Sequence, residues 1–358
     1  MNVLLTASFK NGLFLNGLTQ NIVFLAELIN GIGYNAVICI NHELKEGLDT
    51  PKDIDFIYEK DLHDLEGVVA ILETGWTLDP NDVKSIKKNS PSAKHVHIHY
   101  GNRMMSDIER CRSTDAIGIS RELVDEVWIS PHYEESIPYF KTFYKNPNVS
   151  ILPYIWSPKY IDIHTEIFEA SGISPYYSPG EPFTFCTLEP NLNMTKNCIP
   201  SVMIMEEVLQ REVENFHRLI VYCSHSISDK KYFMYFINQL DLFHKQKVSF
   251  AGRENLAKIF SKDSNACISH QLMNGLNYTY LECLHLGIPL VHNSKYIQDA
   301  GFYYSGYDIH AGADQVENMI TTYDRDYDKH MKKNKEVLFR YSPENESVKM
   351  MYKRMIES

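Results

Sequence analysis

Short apolar runs alternate with longer segments of helical period along most of this chain. That alternation is typical of α/β proteins with parallel sheets. Leu18, Ile22, Leu25 and Ile29 share one face of a predicted helix, and Gly31 is placed to end it. The predicted strands are Val3–Thr6, Ala36–Ile40, Val68–Leu72, His95–Tyr100, Glu126–Ile129 and Ser150–Leu152, followed by Phe183–Thr187, Leu219–Cys223, Val248–Ala251, Ala266–Ser269 and Leu290–His292.

The pattern breaks between Pro153 and Pro182, where prolines and glycines are dense. Such residues interrupt regular structure, so we expect the connection between two domains here. The 358 residues are enough for two ordinary domains. Both domains are predicted to be doubly wound and Rossmann-like, with the loops at the carboxyl ends of their strands facing one cleft. The predicted boundaries are 1–155 for the N-terminal domain, 156–182 for a Pro-rich linker, 183–341 for the C-terminal domain and 342–358 for a last helix.

The last segment carries a helix-start signal. Ser342, Pro343 and Glu344 supply a capping residue, a proline suited to the first helical position and an early acid. An apolar stripe follows, which predicts that this helix docks on another surface. The stripe consists of Val348, Met351, Tyr352, Met355 and Ile356.

Composition excludes some classes of protein. A formal net charge of -11 and a pI near 5.8 argue against a general nucleic-acid binder. Seven single cysteines without a C-x-x-C pair predict buried thiols in a reducing compartment. No signal peptide and no apolar run of the ~20 residues that span a bilayer are recognisable, so we expect a cytoplasmic protein. Lysine clusters at 84–88 and 329–335 are most simply solvated helix faces, but peripheral membrane contact stays open.

The stretch "NGLNYTYLECLHLGIP", residues 274–289, carries the strongest candidate chemistry. It follows a predicted strand and opens a helix, so its first backbone N–H groups and the helix dipole can bind a diphosphate. Glu282 lies one helical turn deeper than Tyr278, where a carboxylate can accept hydrogen bonds from the two hydroxyls of a ribose. The simpler interpretation is a glutamate on an exposed helix face.

This stretch resembles the donor-site segment of GT-B glycosyltransferases of the retaining family-4 type, E-G-F-G-L-x-x-x-E-A-x-A-x-G-x-P-V. The resemblance implies that Glu282 holds the ribose of a nucleotide-sugar and that the backbone of Asn277 and Tyr278 holds its diphosphate. The first Glu of the family, which contacts the donor sugar, is Asn274 here. Similar or identical residues occur at Gly275, Leu276, Tyr278, Leu281, Glu282, Gly287, Pro289 and Leu290.

A second match is "FTFCTLEPNLNMTKN", where the family places an Arg and then a Lys that reach the diphosphate. Lys196 fits the lysine position, and no Arg lies between Phe183 and Lys196. Arg253, after the strand "VSFAG", could supply the missing charge from a neighbouring loop. Both cations could equally be ordinary surface residues.

The first domain has weaker signals. Asn16 and Gly17, in "SFKNGLFLNGLTQN", resemble the N-terminal glycine loop of GT-B enzymes, although a plain turn fits as well. In "KHVHIHYGNRM", His95, His97 and His99 share one face of a strand at ~6.6 Å spacing. Zinc would need that strand to bend, and no Cys or Glu is expected close by, so no metal is expected. Packed histidines are the simplest interpretation.

His99, at the end of that strand, and His132, in "WISPHY", are the histidines expected to face a sugar. The segment from Ser8 to Glu27 contains no aspartate, and some inverting GT-B enzymes keep one there. Retention is therefore favoured, with a histidine base for inversion still open. The D-x-D patterns at 53–55 and 324–326 are interpreted as surface acids, the second within a helix.

The predicted function is metal-independent transfer of a sugar from a UDP- or GDP-linked donor to a hydroxyl of a glycan acceptor, without a cofactor. A GT-B-fold sugar-nucleotide epimerase and a non-catalytic glycan-binding protein with a degenerate donor site are the alternatives. The predicted catalytic residues are His99, His132 and Asn274, and the predicted donor-binding residues are Glu282, Lys196, Arg253, Gly275, Leu276, Asn277, Tyr278, Gly17 and Asn16.

Overall fold

The computed structural model describes residues 1–9, 17–43, 51, 53–111, 121–145, 147–180 and 182–358. They form two compact units. The first unit comprises Met1–Ser157 and Tyr341–Ser358, and the second comprises Pro158–Arg340. Each unit is built around one sheet in which every pair of neighbouring strands is parallel. This confirms the predicted α/β class with two doubly wound units.

The strands of the first unit are β1 (Asn2–Ala7), β2 (Asn35–Ile40), β3 (Asp55–Tyr58), β4 (Val68–Glu73), β5 (Lys94–His99), β6 (Glu126–Ile129) and β7 (Asn148–Ile151). Their order in the sheet is β3-β2-β1-β4-β5-β6-β7, so the direction of winding reverses between β1 and β4. Its helices are α1 (Gly17–Gly31), α2 (Pro80–Asn89), α3 (Arg103–Arg110) and α4 (Ile137–Phe143), with 3-10 turns at Glu59–Asp64 and Pro131–Ser136.

The central strands of this sheet are buried, which explains their nearly continuous apolar sequence. Trp128 on β6 is fully buried. Beside it, Phe140 and Tyr144 from the α4 region pack against Val127 and Ile129. This apolar cluster covers the face of the sheet that carries the three histidines of β5, because the His99 and Phe140 rings lie 4.8 Å apart.

The second unit begins with α5 (Lys159–Glu169). Its strands are β8 (Phe183–Thr187), β9 (Phe216–Val221), β10 (Val248–Phe250), β11 (Ala266–Ser269), β12 (Leu290–His292) and β13 (Phe302–Tyr303). They are arranged in the order β10-β9-β8-β11-β12-β13, with the reversal between β8 and β11. Its other helices are α6 (Ile199–Gln210), α7 (Lys231–Ile237), α8 (Asp241–His244), α9 (Leu256–Lys262), α10 (Tyr278–His285), α11 (Ile309–Thr322) and α12 (Tyr327–Arg340).

The last helix, α13 (Glu346–Glu357), belongs to the first unit. Its cap is Asn345, whose side chain accepts a 3.0 Å hydrogen bond from the Ser347 amide, so the prediction that Ser342 opens this helix was wrong. An asparagine followed by Glu346 is an equally good helix start. The hydroxyl of the fully buried Tyr352 donates to the Pro153 carbonyl at 2.7 Å, which fixes the helix on this unit.

Other differences from the sequence prediction concern weakly apolar segments. Strands β3 and β13 were not predicted, and both are short strands at sheet edges. Residues 158–180, expected in a linker, lie in the second unit and include α5.

No helix among the described residues has both the length and the apolar character that a membrane crossing requires. The seven cysteines are free, and Cys111 is exposed rather than buried.

Candidate functional site

The loops after β8 and β11 meet at the carboxyl edge of the second sheet. These two strands are neighbours at the point where the winding reverses. In doubly wound sheets this switch point leaves a crevice in which ligands bind. The candidate donor site is therefore built from residues 188–198, which follow β8, and 270–278, which follow β11.

The start of α10 is closely packed. Asn277 caps the helix, because its side-chain oxygen accepts a hydrogen bond from the Thr279 amide at 3.2 Å. The Ser294 hydroxyl donates to the carbonyl oxygen of Gly275. A Cβ on Gly275 would come within 3.0 Å of the Tyr296 ring, so this contact favours glycine. The helix ends at His285, and Gly287, two residues further on, has a φ of +67°, a left-handed conformation that favours glycine.

Glu282 lies within α10 and is partly buried. Among the described residues, none forms a hydrogen bond or an ion pair with its carboxylate. Burial raises the pKa of this carboxyl to about 7. A carboxylate removed from water without a protein partner is costly unless a ligand supplies the hydrogen bonds. The carboxylate of Glu282, which was predicted to hold a ribose, is therefore available to accept hydrogen bonds from a ligand.

Glu189, in the loop after β8, is a buried carboxyl that the sequence prediction missed. The Ser269 hydroxyl donates to its Oε1, and Nε2 of Gln271 donates to its Oε2 at 2.6 Å. Burial raises the pKa of Glu189 to about 7, although the Ser269 hydrogen bond and the charge of Lys196 oppose this. The one available signal was that Glu189 is the only acid between Phe183 and Lys196.

Lys196 lies close to two charged groups. Burial lowers the pKa of its ammonium, the negative charge of Glu189 opposes that decrease, and the positive charge of Arg253 adds to it. Arg253 is exposed and lies in the loop after β10. The structure therefore brings Lys196 and Arg253 near each other, and two neighbouring cations suit a diphosphate.

Asn274 is buried, and its Nδ2 donates to Oε1 of Gln271 at 2.8 Å. Gln271 thereby links Asn274 to Glu189, so the amide predicted to contact the sugar is held by a hydrogen-bonded chain. Leu276 and Tyr278 are only 3% and 6% exposed, which makes their side chains packing groups and leaves their backbone for ligand contact.

In the first unit, the predicted glycine loop is only partly described. Gly17 is the first residue of α1, and its carbonyl oxygen accepts from Nδ2 of Asn21 at 2.9 Å. Asn16 lies outside the described residues. Strand β1 borders the reversal between β1 and β4, which is the corresponding switch point of this sheet.

The three histidines of β5 share one face, as predicted. The expectation that no carboxylate stands near them was wrong, because Glu73 on the adjacent strand β4 is the register partner of His97. Oε1 of Glu73 lies 2.8 Å from Nε2 of His95, and Oε2 lies 2.7 Å from Nε2 of His97. Strand pairing between residues far apart in sequence created this cluster.

Glu73, His95 and His97 place three possible metal-ligand atoms within 4.8 Å of one another. Two ligands of a tetrahedral zinc lie about 3.3 Å apart when the bonds are ~2.0–2.1 Å. The 2.8 Å contact between Nε2 of His95 and Oε1 of Glu73 is a hydrogen bond, whereas Nε2 of His97 and Oε2 of Glu73, 2.7 Å apart, form an ion-pair contact without a hydrogen bond. Both separations are shorter than the spacing of two zinc ligands.

The remaining candidates have structural partners. The His132 ring lies 3.9 Å from the Tyr133 ring, within the 3-10 turn that follows β6. Asp324 lies in the turn between α11 and α12, not in a helix as predicted. It accepts hydrogen bonds from the Tyr177 hydroxyl and, at 3.1 Å, from the Gly180 amide, which accounts for this acid without a metal. Asp53 and Asp55 are exposed.

Two doubly wound parallel units with loops gathered at a switch point define the GT-B fold. Solved structures agree with this class. A glycosyltransferase from Rickettsia africae has a TM-score of 0.59 at 11% identity, covering 99% of this chain and 97% of that one. Staphylococcus aureus TarM, solved as a variant with fondaparinux, α-GlcNAc-glycerol and UDP, has a TM-score of 0.64 at 9% identity over both full chains. HepE of Anabaena, solved with UDP, gives 0.54 at 11% identity and 99% coverage of both chains.

The chain belongs to the family DUF2827, described as a protein of unknown function, whose model matches residues 3–356. No curated protein sequence matches it.

Proposed function

We propose that this protein is a glycosyltransferase that binds a nucleotide-sugar at the carboxyl edge of its second sheet and transfers the sugar to a hydroxyl of a glycan acceptor. The observation that carries the proposal is Glu282, a partly buried carboxyl with a pKa near 7 and no partner among the described side chains. The two hydroxyls of a ribose would supply the missing donors.

The diphosphate would rest on the start of α10, next to Lys196 and Arg253. The first N–H groups of a helix and its dipole favour an anion. Glycosyl transfer expels a nucleoside diphosphate, and cations aimed at it stabilise the charge that develops on the leaving group. We propose a UDP- or GDP-linked donor, and the UDP present in the solved TarM and HepE structures makes UDP the first nucleotide to test.

We further propose retention of the anomeric configuration without a metal. The segment between Ser8 and Glu27 offers no carboxylate as a base, so the leaving phosphate would assist the acceptor hydroxyl. Asn274, held by Gln271, would hydrogen-bond the donor sugar. Determining the anomeric configuration of the product tests this part separately from donor binding.

Thermal denaturation against UDP, GDP, CDP, ADP, TDP and their common sugar conjugates tests the proposal. A ligand at a hundred times its Kd should add about 2.7 kcal/mol to the free energy of unfolding. A nucleotide that raises the melting temperature would identify the donor class. Release of the nucleoside diphosphate only when an acceptor is added would exclude an epimerase. If no nucleotide in the panel changes the melting temperature of the folded protein, the proposal is contradicted, and a non-catalytic glycan-binding protein with a degenerate donor site is favoured.

A further inference from the structure

The three tryptophans of the chain differ in exposure. Trp128 and Trp156 are 0% and 2% exposed, whereas Trp76 is partly exposed. Trp76 lies in residues 74–78, the turn that follows β4 at the carboxyl edge of the first sheet, beside the reversal between β1 and β4. Ligands of doubly wound sheets bind at this edge. A large aromatic side chain left partly in water there is a candidate ligand contact.

One buried hydroxyl organises this turn. Oγ1 of Thr6, a fully buried residue of β1, accepts from the Thr74 amide at 3.0 Å and donates to the Trp76 carbonyl at 2.7 Å. The Thr6 carbonyl accepts from the Gly75 amide at 2.9 Å and from the Thr74 hydroxyl. Buried polar groups whose hydrogen bonds are all made rigidify the segment they hold. The backbone on both sides of Trp76 is therefore fixed to the end of β1.

The indole ring of Trp76 is held as well. Its Nε1 donates to the Ala7 carbonyl at 3.1 Å, and the ring packs against the apolar cluster that contains Leu78 and Val83. A Cβ on Gly75 would lie 2.9 Å from Cα of Ala7, so only glycine lets the turn approach β1 this closely. Because the indole N–H already has a partner, the exposed part of the ring offers a ligand aromatic surface and no donor.

The charges beside the turn disfavour an anionic ligand. Asp79, three residues after Trp76, caps α2 by accepting from the Asn81 amide at 2.8 Å. Burial and the charges of Asp82 and Asp79 raise the pKa of Glu59, so these three carboxyls lie close enough to repel one another. A phosphate would be repelled in the same way, whereas the hydroxyls of a neutral ligand can donate to carboxylates.

A pyranose ring has the chemistry that such a surface recognises. One face of the ring carries mainly C–H groups, and hydroxyls surround it. The face of an aromatic ring carries partial negative charge and attracts the weakly positive C–H groups. Small-molecule sites typically combine aromatic surface with a few polar groups, which here are the neighbouring carboxylates.

We propose that a pyranose ring of the acceptor packs on Trp76, and that Thr6 is a positioning residue that holds Trp76 in place. The role in acceptor binding rests on the proposed function, whereas binding of a neutral sugar by the first unit does not. Strand β5, which lies beside β4, ends at His99. The histidine predicted to face a sugar therefore follows the strand next to this turn.

Tryptophan fluorescence of the full-length protein tests the binding directly. Acrylamide, a neutral quencher, should reach Trp76, because the other two tryptophans are buried. The probes are methyl glycosides of glucose, galactose, mannose and N-acetylglucosamine at millimolar concentrations. At least one should protect Trp76 from acrylamide and shift its emission to shorter wavelength, since the sugar displaces water from the indole. If no glycoside protects Trp76, or if tetramethylammonium protects it and the sugars do not, the proposal is overturned.

Variants separate the ring from its support, with sugar affinity measured by calorimetry. Trp76→Leu should weaken sugar binding by about tenfold or more, as truncation of a central aromatic contact does, whereas Trp76→Phe should retain most of the affinity. Thr6→Val should weaken sugar binding and Thr6→Ser should restore it, because serine keeps the hydroxyl. Tyr232→Leu, which removes an exposed ring of the second unit, is the control and should bind normally. If Thr6→Val does not fold, the comparison of Trp76→Leu with Trp76→Phe decides.

These results are separable from the nucleotide titrations. Sugar binding that depends on Trp76, without any nucleotide response, would refute the proposed function and leave Trp76 as a carbohydrate contact. If turnover is found, Trp76→Leu should raise the acceptor KM about tenfold or more with little change in the donor KM. An unchanged acceptor KM in Trp76→Leu would refute the role of Trp76 in acceptor binding and leave the proposed function standing.

Discussion

Nε2 of Gln271 donates a 2.6 Å hydrogen bond to Oε2 of Glu189, which joins the loops that follow β11 and β8. The other end of the Gln271 amide accepts from Asn274, and the Glu189 carboxyl lies near the Lys196 ammonium. A planar amide with both ends engaged has little freedom to rotate. One buried glutamine thus sets the distance between a predicted sugar contact and a predicted diphosphate contact.

The first prediction concerns Glu282→Gln. Loss of a carboxylate that accepts two ribose hydroxyls should weaken nucleotide binding by about 100-fold, since hydrogen bonds to charged groups contribute about 1.5–3 kcal/mol each. The variant should also be more stable at pH 8. A carboxyl whose pKa is raised to about 7 destabilises the folded state increasingly as pH rises, and removing it should add about 2 kcal/mol to the free energy of unfolding.

Glu206→Gln is the matched control in the same unit. Its carboxylate accepts from the amides of Asp241 and Leu242 at the start of α8, both at 2.9 Å. An amide cannot accept from all of these donors, so the variant should lose about 1–3 kcal/mol of stability with unchanged nucleotide affinity. Calorimetric titration and thermal melts measure both quantities. A Glu282 variant that loses stability and keeps its affinity would show that Glu282 is structural.

The second prediction is a pH dependence of donor affinity. Ribose hydroxyls donate to the ionised form of Glu282, so binding should be strongest above the pKa of about 7 and fall about tenfold between pH 8 and pH 6. A nucleotide-sugar is the ligand to titrate, because its diphosphate does not change ionisation in this range. In Glu282→Gln this decrease should disappear, which separates it from the titration of Glu189. Equal pH dependence in both proteins would contradict the assignment.

The third prediction concerns Lys196→Met. Removing a charge-assisted bond to phosphate should weaken UDP binding by about 10- to 100-fold and leave the affinity for uridine unchanged. Lys262→Met, which replaces an exposed lysine at the end of α9, serves as the control and should bind UDP normally. Parallel titrations with uridine and UDP decide the matter. An equal loss for both ligands would mean that Lys196 supports the loop instead of contacting phosphate.

Local signals explain why the α10 region could be predicted from the sequence. The start of the helix at Tyr278, its end before Gly287 and the strands on either side depend on caps, turn glycines and short apolar runs, which are properties of consecutive residues. Edge strands β3 and β13 escaped prediction because short, partly exposed strands carry little apolar pattern. The cap of α13 was misplaced because two good capping sites lie three residues apart.

The sequence by itself determined the α/β class, the two doubly wound sheets and the helix that carries Glu282, because the periodicity of apolar residues expresses which faces are buried. Only the tertiary structure brought Glu189 to Gln271 and Glu73 to His95 and His97. Those partners lie on strands or loops distant in sequence, and parallel pairing makes them neighbours. Burial then raises the pKa of Glu189, and no local sequence pattern indicates how far folding removes a side chain from water.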